Sequence, residues 1–140
     1  MSKKYIGFII ILTCSFFLFP TNIYSSSTEE DHKLQEKCGK RCEEIYNKKY
    51  KGGKTQTSKG VSIYYDYENH YNKKLNKCFM LIDERSVMGS MIKLMDVNEN
   101  KLYGSCRVGK NENLESCHFL RKSCKTYEEW VLRVKPYMEE

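Results

Sequence analysis

The chain has no Cys-x-x-Cys, no Asn-x-Ser/Thr sequon, no internal repeat and no apolar run of the about 20 residues that cross a bilayer. The first absence removes thioredoxin-type and haem-attachment sites. The second removes an N-glycan acceptor, which fits bacterial export. Paired carboxylates are missing too. Asp66 with Glu68, Asp83 with Glu84 and Glu128 with Glu129 are sequence neighbours, and neighbours do not face each other across a cleft as glycoside hydrolysis requires. They read as solvated surface. No catalytic, metal or cofactor motif remains, so an enzyme has the least support.

What is present begins with an export signal. Lys3 and Lys4 precede an apolar run from Ile6 to Phe19, then Pro20 and the small polar stretch Ser25-Ser26-Ser27. This is the charged, apolar and cleavage zone of a secretory signal over residues 1–25, with the cut after Ser25. Cys14 follows Thr13 and is a poor lipidation site. The expected location is secreted or periplasmic. Residues 26–140, about 115 in all, make one small domain. The whole chain carries 24 Lys and Arg against 18 Asp and Glu, a net +6; losing Lys3 and Lys4 leaves +4. That mild excess is compatible with anionic partners.

Six cysteines lie beyond the signal: Cys38, Cys42, Cys78, Cys106, Cys117 and Cys124. In an oxidising compartment they are expected to form three disulfides, with neither zinc nor a free thiol. Six cysteines permit 15 pairings. Cys117 pairs most simply with Cys124. Cys38 and Cys42 lie on one helix face and are expected to reach Cys78 and Cys106 on the sheet beneath. A Cys117–His118 nucleophile pair would need a free thiol, which bridging removes.

The spacing of Leu34, Cys38, Cys42 and Ile45 predicts a helix from Glu29 to Tyr50, capped by Thr28 and ended by Gly52-Gly53. Lys51 to Gly60 reads as a polar loop. Alternation predicts a strand over Val61–Glu68, a turn over Asn69–Asn76, and strands over Lys77–Arg85, Met91–Val97 and Lys101–Val108. Along the first of these last three, Cys78, Met80 and Ile82 take one face and Phe79 and Leu81 the other. Gly109–Glu115 reads as a loop. Thr126 with Glu129 is a capping box for a helix from Tyr127 to Met138, which Pro136 distorts near its last turn. The expected fold is α+β: N- and C-terminal helices on a disulfide-stabilised antiparallel meander of three to four strands, both helices on the same face or the second closing one end.

The segment from His70 to Phe79, the hairpin Asp96-Val97-Asn98-Glu99-Asn100-Lys101 and the ending Lys135-Pro136-Tyr137-Met138 together resemble a group of small exported, cysteine-containing bacterial proteins. The likeness covers most of the mature chain and implies a bacterial, exported protein. That group carries no established activity, so the resemblance implies no catalytic residue.

The remaining signal is charge. From Lys33 to Lys59 there are nine basic residues against three acidic. Lys48, Lys49 and Lys51, with Tyr71, Lys73 and Lys74, form a candidate binding surface, because interleaved cations and rings stack on sugars and pair with phosphates or carboxylates. Strand tyrosines and a solvated lysine face are the plainer reading of the same residues. The expected function is a monomeric, non-catalytic exported protein binding an anionic envelope ligand, a glycan or a lipid head group. The alternative is a secreted inhibitor or effector acting on a partner protein.

Overall fold

The computed structural model of the chain describes residues 24–57 and 59–139, with side chains from 28 onward. The signal reading of residues 1–25 lies, except for its last two residues, outside them. Helix α1 (Tyr24–Tyr50) leads through a 3-10 turn (Lys51–Gly53) into seven strands: β1 (Lys54–Gln56), β2 (Ser62–Asn72), β3 (Lys77–Ser86), β4 (Gly89–Asp96), β5 (Lys101–Gly109), β6 (Leu114–Phe119) and β7 (Lys122–Ser123). Helix α2 (Tyr127–Met138) follows. The strands form one sheet in chain order, each antiparallel to the next.

The alternation of β3 organises the molecule. Successive side chains of a strand point to opposite faces, and β3 is apolar on both. Cys78, Met80 and Ile82 join Cys38 and Cys42 of α1 in one core cluster, with Ile45, Tyr46, Tyr50, Tyr65, Tyr67 and Tyr71 packed against it. Phe79 joins Leu94, Cys106, Cys117, Phe119, Trp130 and Val134 in a second cluster under α2. The two helices therefore lie on opposite faces of the sheet, not on one. Each face of β3 needs its own cover, and one helix cannot supply both.

The local signals explain the helix ends. Thr126 Oγ1 accepts from the Glu129 amide at 3.1 Å, and Glu129 Oε2 accepts from the Lys125 amide at 2.7 Å. These satisfy amides that the first turn leaves unpaired. Pro136 lies in the last turn of α2, and its carbonyl accepts from Asn72 Nδ2 at 2.8 Å. Gly52, at φ 68°, turns the chain out of α1 in a left-handed conformation that costs glycine little. At Gly104 a Cβ would stand 2.7 Å from the Trp130 ring and 2.5 Å from the His118 carbonyl. Only glycine lets α2 approach β5 so closely.

The sheet has seven strands instead of three to four. The expected loop over Lys51–Gly60 contains β1, and the expected turn over Asn69–Asn76 is strand as far as Asn72. The loop after β5 contains the start of β6. Helix α1 begins at Tyr24, so Thr28 lies within it and not at its cap.

Candidate functional site

Six cysteines fall on two sides of the sheet. Cys38 is bridged to Cys78, and Cys117 to Cys124. Cys42 and Cys106 are buried free thiols. Three disulfides with no free thiol is thus corrected to two disulfides and two thiols. The physical reason is the sheet itself: Cys42 packs in the α1 cluster and Cys106 in the α2 cluster, and a β-sheet separates them. Helix α1 is clamped to the sheet once, by Cys38–Cys78, not twice. The Cys117–Cys124 bridge ties β6 to the residue after β7 and removes the nucleophile that His118 would have needed; His118 is exposed on the other face of β6. Both bridges fit an oxidising environment outside the cytoplasm. No helix among the described residues is long and apolar enough to cross a membrane.

The predicted basic surface is divided. Lys48 and Lys49 sit exposed in the last turn of α1, with Lys51 just beyond it. Lys49 Nζ donates to Asn100 Oδ1 at 3.0 Å, so the β4–β5 hairpin reaches α1. Lys73 lies at the other end, on the β2–β3 turn with Lys74, and its ammonium meets Asp31 at 2.6 Å. Asp31 and Lys48 are 17 residues apart on one helix, about 25 Å. The six residues do not form one patch.

Between these ends lies a groove of about 770 Å³ along the flank of α1. Lys33, Lys37, Lys40 and Arg41 line it against two carboxylates, Glu36 and Glu44. Glu36 pairs with Lys40 at 2.6 Å, and Arg41 with Glu44 at 3.0 Å. Hydrogen bonding to Lys40 lowers the Glu36 pKa, so that carboxylate stays ionised. Lys37 has no ion pair among the described residues. Tyr71 forms part of the opposite wall: its amide donates to Gln35 Oε1 at 2.6 Å and its hydroxyl to Asn76 Oδ1 at 2.7 Å. Of the predicted surface residues, Tyr71 alone lines this groove. Lys33, Lys37, Lys40 and Arg41 belonged to the basic tract by count, yet their convergence depends on which flank of α1 faces the β2–β3 turn.

The groove wall also holds sulfur. Cys38 and Cys78 line it, and the Sγ atoms of Cys38, Cys42 and Cys78 all lie within 4.8 Å of one another. Burial pushes the Cys42 thiol up to about 12, so it is protonated at neutral pH.

A second hollow of about 580 Å³ opens on the α2 face beside Asp83, Arg85, Lys125 and Tyr127. Asp83 Oδ1 is buried there without a hydrogen-bond partner among the described residues, while Oδ2 accepts from Arg85 at 2.8 Å. The carboxylates that line it, Asp83, Glu112 and Glu128, offset Arg85 and Lys125, so it lacks the cationic excess of the first.

The chain matches no protein-family model, no curated protein and no solved structure.

Proposed function

We propose that this is an exported, non-catalytic bacterial protein, like the small exported proteins it resembles, and that it holds an anionic ligand in the groove beside α1. One observation carries the reading: four cations line the groove, Lys33, Lys40 and Arg41 paired with Glu29, Glu36 and Glu44 and Lys37 without an ion pair among the described residues, and Tyr71 supplies a ring at the wall. A sulfated or carboxylated glycan, or a phospholipid head group, has the charge and size for such a groove. Binding would be electrostatic and so would weaken with added salt, because exposed charges lose most of their attraction beyond about 8 Å at physiological ionic strength and sooner at higher salt.

The test uses heparin and vesicles containing phosphatidylglycerol as probes, at low and high salt. Binding should weaken steeply with salt. Lys37→Glu with Arg41→Glu should reduce it at least tenfold. Lys48→Glu with Lys49→Glu, outside the groove, should reduce it only slightly. Equal losses from both pairs would dissolve the groove as the site. No salt-dependent binding to either probe removes the reading and puts the partner-protein alternative ahead. The exposed Val87 and Met88 at the β3–β4 turn would then be the first surface to examine.

A further inference from the structure

Cys42 is fully buried, and its Sγ lies 3.7 Å from Cys78 Sγ, within van der Waals contact of a disulfide. Cys38 and Cys42 sit one turn apart on the same face of α1, so Cys78 lies within reach of either. The three sulfurs form a triangle with Cys78 at one corner. Cys38 and Cys78 line the groove, and Cys42 does not. A free thiol in the dry core has no disulfide partner of its own across the sheet.

We infer that Cys42 exchanges with the Cys38–Cys78 disulfide, moving the free thiol from Cys42, which does not line the groove, to Cys38, which lines it although only 3% exposed and is there a site for mixed-disulfide modification. The inference rests on the sulfur cluster alone and does not depend on the anion-binding reading.

The step is redox-neutral. Cys42 gives its proton to solvent base, and the thiolate sulfur attacks Cys78 Sγ. The Cys42–Cys78 bond forms as the Cys38–Cys78 bond breaks. Cys38 leaves as a thiolate and takes up a proton. A low-molecular-weight disulfide then completes the modification: Cys38 sulfur attacks one of its sulfurs, a Cys38 mixed disulfide forms, and the second half leaves as a thiolate. In-line attack on Cys78 requires the Cys42 side chain to swing from the side of the triangle toward the axis of the bond.

The environment sets the rate. Exchange proceeds through the thiolate. The titratable groups around Cys42 are Tyr67 on β2, and Tyr46 and Glu43 on α1; Cys78, being bridged, does not titrate. None is cationic, so nothing offsets the desolvation that raises the thiol to about 12. Only roughly one molecule in 10⁵ holds the thiolate at pH 7, and that fraction rises about tenfold per pH unit. The product thiol, Cys38, is itself buried, but unlike Cys42 it has cations, Lys37 and Arg41, beside it on the groove wall to offset that desolvation.

Two measurements on the full mature protein test this. Cys38→Ala, purified without reductant, should contain a Cys42–Cys78 bridge on non-reducing peptide mapping. Free thiols at both Cys42 and Cys78 would overturn the inference. Wild-type protein incubated with glutathione disulfide at pH 7, 8 and 9, then acid-quenched, should carry glutathione on Cys38 together with a Cys42–Cys78 bridge. The rate should rise about tenfold per pH unit. Glutathione on Cys42 or on Cys106 without Cys38, or no modification after days at pH 9, would overturn it equally. The wild-type arm stands even where Cys38→Ala fails to fold.

Discussion

The two faces of the sheet are built from different materials. Under α2 the core is aromatic and closed. Phe79 meets Tyr103 and Tyr137 edge-on at 5.2 and 5.3 Å, and Phe119 meets Trp130 at 5.8 Å. Under α1 the core is sulfur, Met80, Ile82 and Val97, fringed by tyrosines whose hydroxyls reach polar partners, as Tyr46 does in donating to the Tyr65 carbonyl at 2.6 Å. Ring-to-ring packing fills the space under α2, and the hollow on that face, about 580 Å³ beside Asp83 and Tyr127, is smaller than the groove of about 770 Å³ beside α1. The comparison assigns stability chiefly to one face and chemistry to the other. The bridges run against this division: the α1 bridge spans 40 residues, against 7 for the bridge on the α2 side, and so contributes more.

The largest effect should come from the closed face. Trp130→Ala removes a ring that is almost wholly buried and is expected to cost about 3–5 kcal/mol in urea unfolding. Ile45→Ala, half-buried under α1, should cost about half as much; equal costs would erase the contrast.

Next come the bridges. Loop-closure entropy predicts about 4 kcal/mol for Cys38–Cys78 and about 2.4 kcal/mol for Cys117–Cys124. Replacing each pair by alanine should therefore leave the first variant roughly 1.5 kcal/mol less stable than the second, and reversal of that order would show strain or residual structure dominating.

Alkaline titration sharpens the contrast further. The folded pKa of Cys42 is raised to about 12 by burial. Stability tied to its neutral thiol is complete below the unfolded value of about 8.5 and is lost as pH rises toward 12. The loss should approach about 1.4 kcal/mol per pH unit, and Cys42→Ala should show a shallower decline. Tyr46, Tyr50, Tyr65 and Tyr67 are raised by desolvation as well, so the α1 face adds to the loss above pH about 10. A slope unchanged by Cys42→Ala would mean the thiol is better solvated than its burial implies.

Thr126→Ala is the smallest of the four. Loss of the cap should cost about 1 kcal/mol, read as a shift in the urea midpoint with an unchanged slope.

Much of this fold was legible where a local signal had one meaning. The Thr126–Glu129 box marked the start of α2 at Tyr127, and the period-two pattern of β3 showed both its faces. Cys117 with Cys124 was readable from proximity alone. The helix placement was legible in principle, because a strand apolar on both sides demands two covers, yet the expected fold put the second helix on the same face or at one end. The β6–β7 hairpin was hidden by its turn. Leu120 and Arg121 both adopt positive φ, 46° and 67°, where Asn and Gly are the usual residues. The Cys124 amide donates to the Cys117 carbonyl at 2.9 Å, and the bridge between the same residues holds the turn that its sequence does not advertise. The site was half legible. Counting charges found the basic tract, but counting cannot say that 17 residues of helix separate Lys48 from Asp31, to which Lys73 is paired.

The strand order has one more consequence. A sheet that never closes must end somewhere, and here it ends in strands of three and two residues, β1 and β7. Each edge carries a lysine, Lys54 or Lys122. β1 covers only Ser62–Tyr64 of β2, so the outer edge of β2 from Tyr65 to Asn72 has no strand beside it among the described residues; there side chains of α1 take backbone groups, Tyr46 donating to the Tyr65 carbonyl and Gln35 accepting from the Tyr71 amide. Short charged end strands, with α1 side chains occupying backbone groups along the rest of β2, make these edges poor templates for intermolecular strand addition.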